Sequence, residues 1–103
     1  MKTYQIRKIV GEPIITTNGH LFKISGYLVG AAKMNGYWNV TELSTGTAIT
    51  YAHPTMKVAM KEAHDTIKRL GDEKFNYAIK ANIDKYGRLN ESITPDMCRE
   101  YVS

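Results

Sequence analysis

Asparagine followed by glycine occurs twice near the start of this chain, at Asn18-Gly19 and at Asn35-Gly36. Few dipeptides restrict a fold as strongly. A two-residue type I′ turn needs positive φ at both central positions, which only Gly and, less readily, Asn accept at low cost. Both pairs stand between β-branched or aromatic runs. Ile14-Ile15-Thr16-Thr17 precedes the first, and Tyr37-Trp38-Asn39-Val40-Thr41 follows the second. Folding at Asn18-Gly19 pairs Ile15 with Phe22 and sets Pro13 opposite Ile24, so turn and apolar pattern agree on one face. Upstream, Tyr4, Ile6 and then Ile9-Val10 alternate with polar residues as a half-buried strand does. Downstream, a Thr45-Gly46 turn leads into Thr47-Ala48-Ile49-Thr50-Tyr51. In that register Val40 faces Tyr51 and Glu42 faces Ile49, with Trp38 on the same side. Gly26 and Gly30 interrupt the middle strand and mark a bend or bulge. The expectation is an antiparallel meander of four or five strands.

At Pro54-Thr55 the period changes. Met56, Ala59, Met60, Ala63, Ile67 and Leu70 recur at helical spacing, with Thr55 as N-cap and Gly71 as the stop. Asp72 is placed to cap a second helix carrying Phe75, Ala78, Ile79, Ile83 and Tyr86, closed by Gly87. Gly71-Asp72 is short enough that the two form a corner or one bent helix. Thr94-Pro95-Asp96 then has the capping residue, proline and acid that open a short C-terminal helix. The fold class is α+β: a meander of four or five strands, two α-helices and that short helix. With no linker or low-complexity run in its 103 residues, the chain reads as a single domain over 1–103. Its expected core is Phe22, Ile24, Met60, Ala63, Ile67, Ile79 and Ile83.

Apolar residues make up 43% and charged residues 23%, which argues against disorder and against a membrane protein. The N-terminal residues are polar, and Cys98 is the single cysteine, so no disulfide framework is expected. These features place the protein in the cytoplasm of a bacterium or of a cell hosting a phage. The net charge of +4 is concentrated in the first third and the first helix, and the tail is acidic.

No motif specifies a chemistry. The three histidines, His20, His53 and His64, do not share the spacing that converges on a metal ion. Cys98 falls near the start of the last helix, where a helix dipole lowers a thiol pKa. Packing against Ile93 as a small apolar residue is the better reading. No nucleophile elbow, glycine-rich phosphate loop or buried carboxylate pair is present. The expectation is therefore a non-enzymatic protein without metal or cofactor.

Two surfaces remain. Seven tyrosines and one tryptophan are many for this length. Tyr37, Trp38 and Tyr51 cluster in the sheet, and exposed Tyr and Trp are good anchors for a protein partner. On the first helix Lys57, Lys61, His64 and Lys68 stand at i, i+4, i+7 and i+11, within a stripe about 60° wide, with Arg69 nearby. That stripe could track a phosphate backbone. The run from Trp38 to Ala63 resembles an arrangement found in many small phage and mobile-element proteins. It covers a quarter of the chain, and its motifs are too generic to carry a functional residue across. The reading that follows is a small accessory protein, of the host-modulating kind made by phages and mobile elements, that binds a protein partner. The alternative is a nucleic-acid-binding domain using the helix stripe with sheet aromatics. An uncovered strand edge or sheet face would also suit a homodimer.

Overall fold

A computed structural model of the protein describes residues 1–8 and 13–102. Five antiparallel strands, β1 (Lys2–Arg7), β2 (Ile14–Ile24), β3 (Tyr27–Met34), β4 (Tyr37–Glu42) and β5 (Thr47–His53), lie in sequence order across one sheet. A helix, α1 (Met56–Tyr86), follows. A 3₁₀ turn (Pro95–Met97) then leads into β6 (Arg99–Glu100), which pairs parallel with Phe22 and Lys23 of β2. The expected Ile9-Val10 part of the first strand lies outside the described residues.

One Asn-Gly pair makes its turn and the other does not. Asn35 and Gly36 stand at φ 52° and 84° between Met34 and Tyr37, as a I′ hairpin requires. Asn18-Gly19 instead lies within β2, opposite Thr3 and Lys2 of β1. The hairpin expected there forms at Ser25-Gly26, with φ 51° and 86°, and it pairs Phe22 with Val29 rather than with Ile15. The alternation Ile15, Thr17, Gly19, Leu21 runs unbroken through the Asn-Gly pair, so the strand continues. Asn18 becomes a cross-strand partner, its Oδ1 accepting from Thr3 Oγ1 at 2.7 Å. Gly19 is needed for another reason: a Cβ there would run into the Ala31 carbonyl oxygen and stand 2.8 Å from the Tyr4 ring. Gly30 of β3 faces the same ring, so the two glycines form the seat of one buried aromatic.

The β4–β5 connection also departs from the expected register. Residues 43–46 form the loop, Glu42 pairs with Thr47, and bulges along the ladder put Thr50 rather than Tyr51 opposite Val40. The Glu42 carboxylate causes this by filling the loop. It accepts from Ser44 N and Thr45 N, each at 3.0 Å, while Glu42 O accepts from Gly46 N at 2.9 Å. A two-residue turn would leave these donors outside the carboxylate's reach.

Thr55 caps α1 as expected, its hydroxyl accepting from Val58 N at 3.2 Å. The expectation of two helices is not met. There is one 31-residue helical element, bent where Gly71 takes φ 82° and ψ 160°. No loop intervenes at the bend, and Asp72 accepts a hydrogen bond from the Tyr27 hydroxyl at 3.1 Å instead of opening a separate helix. The expected C-terminal helix is only the three-residue 3₁₀ turn, because Cys98 is already extended and the chain enters β6.

Helix and sheet enclose one core of Ile24, Val29, Ala31, Val40, Ala59, Met60, Ala63, Ile67 and Phe75. Of the expected core, Ile24, Met60, Ala63 and Ile67 are buried. Phe22, Ile79 and Ile83 are only half-buried, at the margin of the helix footprint. A second core lies on the other face of the sheet. Tyr4, Ile6, Leu21, Ala32, Leu43 and Cys98 meet there, with Ile93 beside them. Polar side chains fasten the segments around this core. Arg7 donates to the carbonyls of Thr45 at 3.2 Å and Tyr86 at 2.9 Å, and its backbone N–H reaches Gly46 O at 2.7 Å. Asn90 accepts from Gln5 N at 2.7 Å and donates to Gln5 O at 3.0 Å, replacing a neighbouring strand along the edge of β1.

Candidate interaction surfaces

The three sheet aromatics do not form one surface. Tyr37 and Trp38 are successive residues of β4 and so point to opposite faces. Trp38 turns to the helix side, where it is half-buried against the first core and stacked on His20 with ring centroids 6.2 Å apart. Tyr37 lies opposite Met34 on the far face and is 53% exposed. Tyr51 joins that face because the β4–β5 bulges turn it away from the helix, and it is 73% exposed. Next to it, Ala52 takes φ 65° and donates its N–H to Asn39 Oδ1 at 2.9 Å. A non-glycine residue with positive φ in a strand is strained, and such strain persists only where neighbours hold it. Here Asn39 holds it, and the kink aims Tyr51.

A groove of about 530 Å³ opens on the same face. Ile6, Met34 and Ala48 supply its apolar lining, Asn39 and Thr41 its polar groups, and Tyr51 one wall. Shape and composition suit an apolar side chain with a few hydrogen-bonding groups around it.

The helix stripe is only partly free. Lys61 pairs with Asp65 at 2.9 Å, and His64 Nδ1 lies 3.2 Å from the same carboxylate. Asp65 raises the Lys61 ammonium pKa, while Lys61, followed by His64, lowers the Asp65 carboxyl below the usual range. The His64 ring also packs against Tyr101, with centroids 5.7 Å apart. Lys57, Lys68 and Arg69 are exposed, and among the described residues none stands within 4.0 Å of a carboxylate.

Among the described residues no group of three or more His, Cys, Asp or Glu could hold a metal ion. Cys98 is buried in the second core, where desolvation raises its thiol pKa, and its Sγ donates to Thr94 O at 3.6 Å. No described helix is long and apolar enough to cross a membrane.

Arg7, Asn39, Glu42 and Asn90 shape these surfaces, and none was singled out from the sequence. Each acts on backbone groups, in most cases far along the chain, so no spacing announces it. Asn90 takes φ 54°, which asparagine accepts better than most residues, but that demand shows only once the backbone is seen. No protein-family model, curated protein or solved structure matches this chain.

Proposed function

We propose that this protein is a non-enzymatic interaction module that binds a protein partner through the far face of its sheet, with Tyr37 and Tyr51 as anchors. One observation carries the reading: two well-exposed tyrosines share a face with an apolar groove, and one of them is held there by a strained backbone. Exposed aromatics beside a pocket are the usual centre of a binding hot spot. Trp38 takes a different part from the one its sequence neighbours suggest, packing the helix side and supporting β4.

The test is affinity capture from the native host with the wild type and with Tyr37→Ala and Tyr51→Ala. Each substitution should cost about 2 kcal/mol or more of partner binding while leaving the urea midpoint unchanged. Trp38→Ala should lower the midpoint. Capture that survives both tyrosine changes would remove this face from consideration. Nucleic-acid binding is the second reading, favoured by the unpaired Lys57, Lys68 and Arg69. Replacing all three with glutamate would abolish that activity and leave a protein partner bound.

A further inference from the structure

Where α1 bends at Gly71, a crevice of about 300 Å³ opens on the helix side of the sheet. Leu70 lines it from before the bend, Phe75 and Ile79 from after it, and Ile49 of β5 from the sheet. Its polar lining comes from Glu42, Thr45 and Thr47 around the β4–β5 connection, and from Asn82 of α1. Asn82 is an unusual residue at this place. It stands seven positions after Phe75 and three after Ile79, on the face of α1 that is turned to the sheet. Its Oδ1 is buried and has no hydrogen-bond partner among the described residues. A buried acceptor without a donor destabilises a fold, so the position calls for one. Glu42 adds charge. It is 5% exposed, and its carboxylate accepts from Ser44 N, Ser44 Oγ and Thr45 N. These neutral donors stabilise the anion without cancelling its charge. Among the described residues no Lys, Arg or His stands within 4.0 Å of it, and none lines the crevice. Arg7 reaches the same loop, but its guanidinium donates to the carbonyls of Thr45 and Tyr86.

An apolar wall, an unmet acceptor and a buried anion without a counter-ion therefore border one small volume. Low-dielectric walls that carry one sign of charge favour a ligand of the other sign. The volume is at the lower end for small-molecule sites. We infer that this crevice binds a small primary amine with a compact apolar body. An ammonium brings donors and no acceptor, which is what Asn82 Oδ1 and the Glu42 charge lack. The body of the molecule packs on Leu70, Phe75 and Ile79. The site is on the opposite side of the sheet from Tyr37, Tyr51 and their groove, and it does not depend on the protein-binding reading.

The experiment titrates the full chain by calorimetry with phenethylamine, and with 2-phenylethanol and 3-phenylpropionate as its neutral and anionic counterparts. Saturable binding of the amine is expected, about tenfold or more tighter than the alcohol, with no saturable binding of the acid. Amide NMR spectra locate the ligand: the signals of Thr66, Ala78 and Asn82 should shift, and those of Tyr37 and Tyr51 should not. Ala78 lines the crevice and is itself exposed, so Ala78→Phe fills the space without disturbing the core and should abolish binding. Asn82→Leu keeps the bulk and removes the orphaned acceptor. It should weaken the amine by about fivefold or more while raising the urea midpoint. Thermal unfolding of each variant checks that the fold is retained. No saturable binding of the amine would overturn the inference, as would equal affinity for the alcohol. Wild-type affinity in a folded Ala78→Phe or Asn82→Leu variant, or shifts confined to the far face, would overturn it as well.

Discussion

The two faces of the sheet are closed by different means. The helix side is closed by a regular element: α1 lays Ala59, Met60, Ala63, Ile67 and Phe75 onto Ile24, Val29, Ala31 and Val40. Apolar area removed from water holds it, with Thr50 Oγ1 donating to Ala59 O at 3.1 Å as a buried polar tie between sheet and helix. The far side has no such cover. Its smaller core of Tyr4, Ile6, Leu21, Ala32, Leu43 and Cys98 is bordered by irregular chain, and hydrogen bonds from Arg7, Glu42 and Asn90 to backbone groups hold that chain in place. The contrast explains why the exposed aromatic surface and the groove occur on the far side. The helix covers the middle of its face, whereas a border of loops leaves the far face open around its smaller core.

The comparison can be broken most directly at its hydrophobic half. Ile67→Ala removes a fully packed side chain between helix and sheet and should cost about 2–5 kcal/mol, read as a shift in the urea midpoint. An unchanged midpoint would mean that the helix is not what closes this face. The polar half is tested next by Arg7→Leu, which keeps apolar bulk but leaves the carbonyls of Thr45 and Tyr86 without their donor. A loss of about 2–4 kcal/mol is expected, smaller than the helix-side effect only if those carbonyls find water. A far side held by apolar packing alone would tolerate the change.

The smallest effect concerns Tyr4, whose buried hydroxyl has no hydrogen-bond partner among the described residues. Tyr4→Phe keeps the ring on its glycine seat and removes the orphaned group, so it should be neutral or stabilise by up to about 1 kcal/mol. The pH dependence sharpens the point. Burial raises the Tyr4 hydroxyl pKa well above the ordinary tyrosine value, so the folded state prefers the protonated phenol. Its contribution is fully present below an unfolded pKa of about 10 and is lost as pH rises through the folded value. Wild type should therefore lose stability at alkaline pH more steeply than Tyr4→Phe, as urea melts at several pH values would show.

The same contrast governs what could be read from the sequence. The helix-side core was legible because burial there follows a period: Met60, Ala63 and Ile67 repeat at helical spacing, and Thr55 marks their start. Asn35-Gly36 was legible because its local backbone demand is the whole explanation of the turn. Asn18-Gly19 carries the same dipeptide and misleads, because its glycine serves the Tyr4 ring, a contact between residues distant in sequence. The placement of Tyr51 was hidden for a related reason. A carboxylate at Glu42 that captures two backbone N–H groups lengthens the loop, and the resulting bulges change which face the tyrosine joins. Candidate surfaces made of side chains in register could be listed from the sequence, but the face each would occupy could not.

The paired hydrogen bonds between Asn90 and Gln5 also bear on how the chain acquires its shape. They span 85 positions, nearly its whole length, while the β3–β4 hairpin closes across a two-residue turn. Contacts of such long range form late, because the ordering of the intervening chain must come first. During synthesis the hairpins and the first turns of α1 can assemble while the edge of β1 still lacks its cover. Until residue 90 has emerged, Gln5 presents unpaired backbone groups beside Tyr4 and Ile6. The nascent protein thus passes through a stage with an open, sticky strand edge, the point in its life at which a chaperone or a second chain would most readily engage it.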